Sequence, residues 1–393
     1  MRAKELKKKA VERVDITYLR QYGIQGFGED NLYPQTLRNI IAGSSTASEC
    51  VGTYANFIEG NGFSEIAFSE YVVNRDGDTA DDIHSLICQD VAVFDGLAVH
   101  VNYNIFGEII ELQYIPFDNC RLLEEDDYGY VAKIAVHPDW TGKKTRTGKP
   151  LKVDKEHIDY IDIFNPMKEV VLSQMKAAGG VESYKGQILW VSGAGRNIYP
   201  RSRADRVVTG MATDQGLANV KYRNACCNFL LAGAFITKKG TSVDTDGEDS
   251  NDDKEDTSFS RVIERLQGDV NAGRMLEVEI AADEEKPEFI SLRPNNYDKE
   301  FTVTDASTVE RIYSAYGQEP WHCIRIGKVG FSGDILEDAF EYYNSIVSKQ
   351  QRMIERTFQK VFKYWHTMAN PSNDYSVQPL KYVRNATIPN NPQ

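Results

Sequence analysis

The sequence predicts an α+β protein built from more than one structural unit. The chain has 393 residues, which is more than one hydrophobic core usually serves. Segments with helical periodicity are interspersed with short segments in which every second residue is apolar, so helices and strands are mixed along the chain. Apolar residues make up 41% and charged residues 26%, the ordinary balance for a globular chain that buries a sizeable core.

Charge, cysteine content and hydropathy exclude several classes of protein. The formal net charge of −13 indicates that the chain as a whole repels nucleic acid and anionic lipid, so tight wrapping of DNA is not expected. "MRAKELKKKAVERV" lacks the apolar stretch of a signal peptide, and no segment approaches the roughly 18–20 apolar residues of a membrane span. The cysteines lack CxxC spacing, which favours reduced thiols in a cytosolic environment over disulfides or a zinc site: Cys50, Cys88, Cys120, Cys226, Cys227 and Cys323.

The first part of the chain predicts helices followed by a sheet. Residues 31–58 read as helical pieces with a Pro start and a Ser/Thr-rich join. A helix is predicted to begin near Thr79, to run towards Phe94 and to be ended by Gly96. "LAVHVNYN" and "EIIELQYI" predict a hairpin of strands, and "GYVAKIAVH" and "HIDYIDIF" are predicted to extend that sheet.

A long helix is predicted from Ala204 to about Leu231, and "ITKK" reads as the end of a strand. Residues 244–256 then contain eight carboxylates and one lysine. Their spacing does not fit an EF-hand, because Asp249 occupies the position reserved for glycine and the closing glutamate is misplaced. We therefore expect a solvated, flexible loop without a metal ion.

Two helices with matched apolar spacing are predicted on either side of a small β module. "RMLEVEI" and "EFISL" alternate around the polar turn "AADEEKP", which predicts strand, turn and strand. Helices of about 12–15 residues and a pair of strands are marginal in isolation, so copies of the chain packed side by side are the expected neighbours. The apolar stripes consist of Phe259, Val262, Ile263 and Leu266 in the first helix and Val309, Ile312, Tyr313 and Tyr316 in the second, where Ser307 and Glu310 suggest a capping box and Gly317 the stop.

A further long helix is predicted over residues 334–366. Its apolar stripe runs from Leu336 to Trp365, and at 1.5 Å per residue its length is roughly 50 Å. The preceding "RIGKVGFSGD", which carries Arg325 and Lys328, is too rich in glycine for a strand or helix and is predicted to be a loop.

The order of these segments resembles the tailed-bacteriophage portal protein family, of the lambdoid siphophage type. "LQGDVNAGRMLEVEI", "SLRPNNYDKEFTVTDASTVERIYSAYGQEPWHCIRIG" and "DAFEYYNSIVSKQQRMIERTFQKVF" carry the resemblance. "DVAVFDGLAVHVNYNIFGEIIELQYIPFDNCRLL" and "YPRSRADRVVTG" are similar to upstream passages of the family, so the resemblance covers most of residues 30–367. The chain departs from the family in keeping only Pro320 of a Pro-Pro pair, and residues 369–393 are too short for a full crown.

The resemblance implies a portal-like fold with an α/β wing, a two-helix stem, a small β clip and a long channel-lining helix. It implies a homo-oligomeric ring, usually a dodecamer, at one capsid vertex of the virion, assembled in the host cytoplasm. Double-stranded DNA would pass through the ring in packaging and ejection. The terminase motor, the head-tail adaptor or connector and the major capsid protein would be its partners, with no membrane and no cofactor.

By carry-over the chain would divide as follows. The wing would be 1–255 with the acidic loop 241–256, the first stem helix 257–270, the clip 271–300, the second stem helix 301–317, the wing return and tunnel loop 318–333, the long helix 334–368 and the tail with a reduced crown 369–393.

The candidate site residues belong to the tunnel loop, the clip and the stem. Lys328 and then Arg325 are the best candidates for steering DNA without holding it, with Gly327, Gly330 and Ser332 in the same loop; a solvated loop lysine is the alternative for Lys328. In the clip, Arg274 would pair with Glu277 or Glu279 of a neighbour near Asn271, the alternative being a solvated strand edge. The two apolar stripes would pack the stem.

Two other functions remain open from the sequence: another ring component of the capsid or connector, such as an adaptor, and a soluble enzyme. The chain contains no HExxH, GxSxG or Walker A motif, and "SGAGRNIYP" has Ile198 where a dinucleotide-binding loop needs its third glycine. The six histidines are dispersed, so no catalytic or metal-binding residue is predicted.

Overall fold

The computed structural model describes residues 16–143, 152–195, 198–226, 233–236, 288–291, 297–328, 333–366 and 372–382. The chain folds into two compact units. Unit 1 consists of Met1–Val208 and Ile312–Gln393, and unit 2 of Thr209–Arg311. Unit 1 is therefore assembled from both ends of the chain, whereas the sequence places the corresponding divisions at 256/257 and 317/318.

The first half of unit 1 contains four helices, α1 (Tyr33–Gly43), α2 (Ser45–Glu59), α3 (Ile66–Ser69) and α4 (Ala80–Phe94). The predicted Pro start and Ser/Thr join of 31–58 are confirmed. Pro34 lies in the first turn of α1, and the side chain of Ser44 accepts a hydrogen bond from the amide of Ala47 to cap α2.

Helix α4 has the boundaries that its capping residues dictate. Thr79 and Asp82 form a reciprocal capping box, with 3.2 Å from the Asp82 amide to Thr79 Oγ1 and 2.8 Å from the Thr79 amide to Asp82 Oδ2. The helix ends at Phe94, and the capping residue Asp95 takes the left-handed conformation at φ 57°. The prediction that Gly96 ends the helix is wrong, because aspartate also tolerates this conformation and Gly96 is the first residue of the next strand.

A six-stranded mixed sheet forms the other layer of unit 1. Its strands are β3 (Gly96–Tyr103), β4 (Ile109–Tyr114), β5 (Cys120–Leu122), β6 (Lys133–Val136), β7 (Asp159–Ile163) and β8 (Gln187–Ser192), in the spatial order β4-β3-β8-β7-β6-β5. The predicted β3–β4 hairpin and its extension by β6 and β7 are confirmed. Strands β7 and β8 pair in parallel, which requires a crossover, and α5 (Lys168–Ala177) lies in that connection.

Strand β8, helix α5 and the hairpin of β1 (Ile16–Leu19) with β2 (Ile24–Phe27) were not predicted. β8 occupies the centre of the sheet between β3 and β7, so the two predicted halves of the sheet are not direct neighbours. The sequence of β8, "QILWVS", is buried over its first four residues. A short, continuously buried strand lacks the alternation of apolar and polar residues by which a strand is recognised in a sequence.

The C-terminal part of the chain completes unit 1 with α8 (Glu319–Arg325) and α9 (Gly333–Phe362). Helix α9 confirms the predicted long helix and packs, like α4, against α2. Its buried face contributes to a cluster of aromatic rings. The ring centroid of Phe358 lies 4.9 Å from that of Phe63, and the ring centroid of Phe362 lies 4.9 Å from that of Phe68. Val377 then forms a bridge with Phe63, so the core of unit 1 uses residues from both ends of the chain.

Unit 2 contains most of two 19-residue helices, α6 (Val208–Cys226) and α7 (Tyr297–Ala315), and the antiparallel strands β9 (Gly233–Ile236) and β10 (Glu288–Ser291). The prediction of a strand at "EFISL" is confirmed, but its partner in the structure is β9, while the predicted partner 274–280 lies outside the described residues. The predicted capping box at Ser307 is wrong, because α7 begins at Tyr297 and Ser307 Oγ donates to the carbonyl of Thr304 within the helix at 3.1 Å.

No helix in the described part of the chain is both long enough and apolar enough to cross a membrane.

Candidate functional site

The candidate site is the end of α8 and the residues after it, where the sequence places the tunnel loop. Arg325, Gly327 and Lys328 belong to the described residues, whereas Gly330 and Ser332 lie outside them. The position of this segment is set by the joint between α7 and α8, which is built from buried polar and aromatic side chains.

Gln318 holds the joint between α7 and α8 in place. Its side chain is 1% exposed, and its Nε2 donates to the carbonyl of Cys50 at 2.8 Å and to Tyr343 Oη at 2.7 Å. Tyr343 Oη in turn donates to the carbonyl of Tyr316 at 3.1 Å. Burial raises the pKa of the Tyr343 hydroxyl, so it stays a neutral donor at physiological pH. The side-chain amide of Gln318 therefore connects the segment between α7 and α8 to both α2 and α9.

The turn at this joint needs glycine. Gly317 has φ +69°, in the left-handed region that L side chains rarely adopt, and an added Cβ would lie 2.9 Å from Ile346 Cδ1. Pro320 in the first turn then fixes the start of α8. Trp321 packs its ring against those of Phe57 and Phe340, at centroid distances of 6.0 and 5.3 Å.

The two basic candidates differ in how firmly they are held. Arg325 is the last residue of α8, so the prediction that it lies in a loop is wrong. Its Nη1 donates to Tyr313 Oη at 2.8 Å, and its guanidinium carbon lies 6.0 Å from the centre of that ring. The hydrogen bond that Arg325 donates to Tyr313 raises the pKa of Arg325, so this side chain is a fixed positive charge against α7.

Lys328 follows α8 as an exposed side chain. Its amide donates to the carbonyl of Cys323 at 3.0 Å, which closes the last turn of α8, and Gly327 before it has φ +71°. Among the described residues Lys328 has no ion-pair partner. Of the two basic candidates, Lys328 is the one that can change position to follow a passing anion, since Arg325 is held by Tyr313.

The second predicted stem stripe is buried in part. Ile312 and Tyr316 are 0% exposed and Tyr313 is 5% exposed, whereas Val309 is half-buried. Tyr316 packs against Tyr54 of α2 at 5.9 Å, so the end of α7 belongs to the core of unit 1. The remaining candidates lie outside the described residues: Phe259, Val262, Ile263, Leu266, Asn271, Arg274, Glu277 and Glu279.

A groove with a volume of about 480 Å³ lies between the sheet and the end of α9. Its apolar walls come from β7 and β8, and two lysines line it from α9 and the turn that follows. The sequence did not indicate this groove because β8 was not predicted. The groove is lined by Ile163, Phe164, Pro166, Leu189, Trp190, Val191, Ser192, Gly195, Lys360, Lys363 and Tyr364.

Within the described ranges, no cluster of three or more His, Cys, Asp or Glu side chains could hold a metal ion.

Comparison with protein-family models and with curated proteins gives no match. Among solved structures, the chain is similar to a chain in the neck of an empty gene transfer agent (GTA) particle computed with C6 symmetry, at 12% identity and a TM-score of 0.47 over 96% of this chain and 88% of that one. A chain in the neck of the native particle, computed with C12 symmetry, gives 14% identity and a TM-score of 0.46 over 84% and 80%. An HK97-family phage portal protein from Corynebacterium diphtheriae gives 11% identity and a TM-score of 0.28 over 79% and 86%.

Proposed function

We propose that this chain is the subunit of a phage portal-type ring, a structural component through which double-stranded DNA enters and leaves a capsid. The observation that carries the proposal is the order of elements around unit 2. Unit 2 interrupts the α+β unit 1, and a 19-residue helix connects the two units on each side of this excursion of the chain. A short helix, a glycine-containing segment and a 30-residue helix follow in the sequence. The sequence resemblance implies the same succession of wing, stem, clip, stem, tunnel loop and long helix, but with the first stem helix at 257–270 instead of at α6.

The pairing of β9 with β10 supports one choice of stem helices. β9 comes soon after α6 and β10 comes shortly before α7, so these two strands close the excursion at the ends of α6 and α7. We therefore assign α6 and α7 as the two stem helices, so that α6 replaces the helix at 257–270 that the sequence resemblance gives as the first stem helix. The proposed clip, which meets the terminase motor and later the head-tail adaptor, then lies between β9 and β10 instead of at 271–300.

Two features of unit 2 support a ring: its small sheet and an exposed apolar side chain. The described residues of unit 2 form a sheet of two strands, which is too small for independent stability, and Val303 on α7 is an apolar side chain left 69% exposed. Copies of the same chain arranged around an axis would supply the missing contacts, and a heterologous contact whose rotation closes gives a ring. A dodecamer with a hole wide enough for duplex DNA is the proposed assembly.

Purified full-length chain tests the assembly. Negative-stain class averages together with the native mass should show annular particles with a central hole about 20 Å or more across. A chain that stays monomeric at high concentration contradicts the proposal. Rings that form only on a preformed ring of another protein would instead identify an adaptor.

Lys328 is the proposed steering residue of the tunnel. Lys328→Glu should leave ring assembly intact and lower the amount of DNA packaged or retained, because the substitution places negative charge next to the phosphates. Packaged DNA is measured with the matching terminase and capsid. Lys155→Glu, an equal charge change at an exposed site elsewhere in unit 1, is the control and should package as the wild type does. Normal packaging by Lys328→Glu contradicts the role of Lys328 but not the ring.

A further inference from the structure

Between Lys349 and Lys363, over about four helical turns of α9, every charged side chain that is exposed is basic. Five basic side chains follow one another at intervals of three or four residues, and all five are exposed: Lys349, Arg352, Arg356, Lys360 and Lys363. We call this set the basic stripe. At about 100° per residue, its members lie within about 80° of one another around the helix axis, and over 1.5 Å per residue the stripe is about 21 Å long. Lys363 follows the helix, but its amide donates to the carbonyl of Gln359 at 3.1 Å, so the helical repeat continues through it.

The packing of α9 keeps the basic stripe in solvent. The opposite side of the helix is buried in the core of unit 1 through Val347, Ile354, Phe358 and Val361, each no more than 1% exposed. Since these residues lie about half a turn of the helix from the basic stripe, α9 cannot rotate to bury the charges.

The charges of the basic stripe are not neutralised within the described part of the chain. None of its five members forms an ion pair with a described residue. Glu355 is the acidic residue between Lys349 and Lys363, but it lies off the stripe and its Oε1 accepts a hydrogen bond from the amide of Val377 at 3.0 Å. Asp95 lies close enough to Lys349 for the lysine to counteract the rise in its pKa, but this carboxylate accepts its hydrogen bond from Gln350 instead.

Neither of the ordinary structural reasons accounts for the basic stripe. The helix dipole favours cations only in the last turn of a helix, whereas the basic stripe begins at Lys349, fourteen residues before its last member, Lys363. A generic solvated face carries both signs, and in this chain acidic residues outnumber basic ones by 58 to 45. Like charges three and four residues apart also repel one another and lower the stability of the helix. A polyanionic partner would neutralise these charges and so remove the repulsion between them.

We propose that the basic stripe of α9 binds the phosphate backbone of duplex DNA, independently of base sequence. Consecutive members of the stripe are separated along the axis by about 4.5 or 6 Å, and long flexible side chains on this spacing can follow a row of phosphates. A membrane surface fits less well, because a helix that lies in a lipid interface inserts its apolar face, and the apolar face of α9 is occupied by the core of unit 1. This inference rests on the proposed function for the identity of the polyanion and adds a second DNA contact, separate from Lys328.

The test compares two charge-matched triple variants of the full chain. Lys349→Gln/Lys360→Gln/Lys363→Gln removes three members of the basic stripe. Lys143→Gln/Lys155→Gln/Lys176→Gln removes three exposed lysines outside α9 and is the control. Binding of a fluorescent 30-base-pair duplex is followed by anisotropy between 50 and 300 mM salt, with two duplexes of unrelated sequence.

The stripe variant should bind both duplexes more than about tenfold more weakly at 50 mM salt, and the slope of log K against log salt should fall by about 2.7 per contacting chain. The control should keep the wild-type slope. Equal losses in both variants would mean that only net charge matters and would overturn the proposal. So would an unchanged affinity of the stripe variant, or wild-type chain that binds phosphatidylserine vesicles or an acidic polypeptide such as polyglutamate but not DNA.

Class averages of the same preparations separate this inference from the proposed function. Wild-type rings that do not bind DNA through the basic stripe contradict the inference and leave the portal proposal standing. Stripe-dependent DNA binding by a chain that never forms rings contradicts the portal proposal and leaves the DNA-binding surface.

Discussion

Single residues in this protein carry constraints that the sequence does not reveal, and Arg121 on β5 is the clearest case. It is 0% exposed and forms no ion pair with any residue in the described ranges. Its guanidinium instead donates to the carbonyls of Asp118, Cys120 and Asn31 and to Asn31 Oδ1, while its carbon lies 5.1 Å from the ring centre of Trp140. Burial lowers the pKa of Arg121 to about 10, so it remains charged and must keep all of these acceptors.

Arg121 and Gln318 could not have been predicted as buried. An arginine or a glutamine is usually exposed, and each is buried here only because a set of acceptors from distant parts of the chain meets it. The carbonyl of Cys50, for example, is separated from Gln318 by 268 residues. No local sequence pattern encodes a contact between residues so far apart in the chain. The joint between α7 and α8 that positions Lys328 was therefore not predicted, whereas a loop at Lys328 was.

Glu111 on β4 gives a pH dependence whose sign is fixed by its partners. Arg75 donates to its two carboxylate oxygens at 2.9 Å each, and Asn102 Nδ2 donates at 2.7 Å. These hydrogen bonds, that of Arg75 foremost, lower the pKa of Glu111 from 4.5 to about 2. Because the pKa in the folded state is below that in the unfolded state, the stabilisation is complete above pH 4.5 and is lost as the pH falls towards 2.

We expect Glu111→Gln to lower the free energy of unfolding at pH 6, and the difference from wild type to shrink as the pH is lowered from 4.5 towards 2. Urea unfolding followed by circular dichroism at each pH measures this difference. Glu125→Gln, at an exposed carboxylate between β5 and β6, is the control and should differ little from wild type at any pH. A Glu111→Gln difference that stays constant with pH would show that the carboxylate charge is not what stabilises this site.

At the scale of elements, helices with local start signals were predictable. The boundary of α4 follows from Thr79 and Asp82, which are three residues apart, and α1 and α9 follow from Pro34 and from an apolar stripe. Strand β8 and the pairing of β9 with β10 were not predictable. The residue pairs that define them are separated by tens of residues, and four-residue strands such as β9 and β10 carry too little pattern to choose a partner.

The capping box of α4 should be measurable by itself. Thr79→Ala removes the acceptor of the Asp82 amide and should lower the free energy of unfolding by about 1 kcal/mol. Chemical denaturation of the two proteins under the same conditions measures the difference. Ser85→Ala, in the second turn of the same helix, is the control and should have a smaller effect. If the two variants lose the same stability, the capping hydrogen bond does not set the start of this helix.

At the scale of the whole molecule, unit 2 is the part that assembly should stabilise. If unit 2 gains its missing contacts in a ring, folding is linked to association, and the apparent melting temperature rises with protein concentration. Differential scanning calorimetry over a hundredfold range of concentration should show a rise of several degrees, and sedimentation velocity at the same concentrations gives the oligomeric state. A melting temperature that does not change while the chain remains monomeric is incompatible with this linkage.

The construction of unit 1 from both ends of the chain has a consequence for biosynthesis. Helices α2 and α4 leave the ribosome early, but α9, which covers them, begins only at Gly333, and Val377 later still. At synthesis rates of about 5–20 residues per second, the nascent chain keeps that apolar surface uncovered for on the order of 10–50 s after Phe94. Binding of a chaperone to the unfinished polypeptide is therefore expected during this interval, and the proposed ring can assemble only from chains whose translation has passed α9.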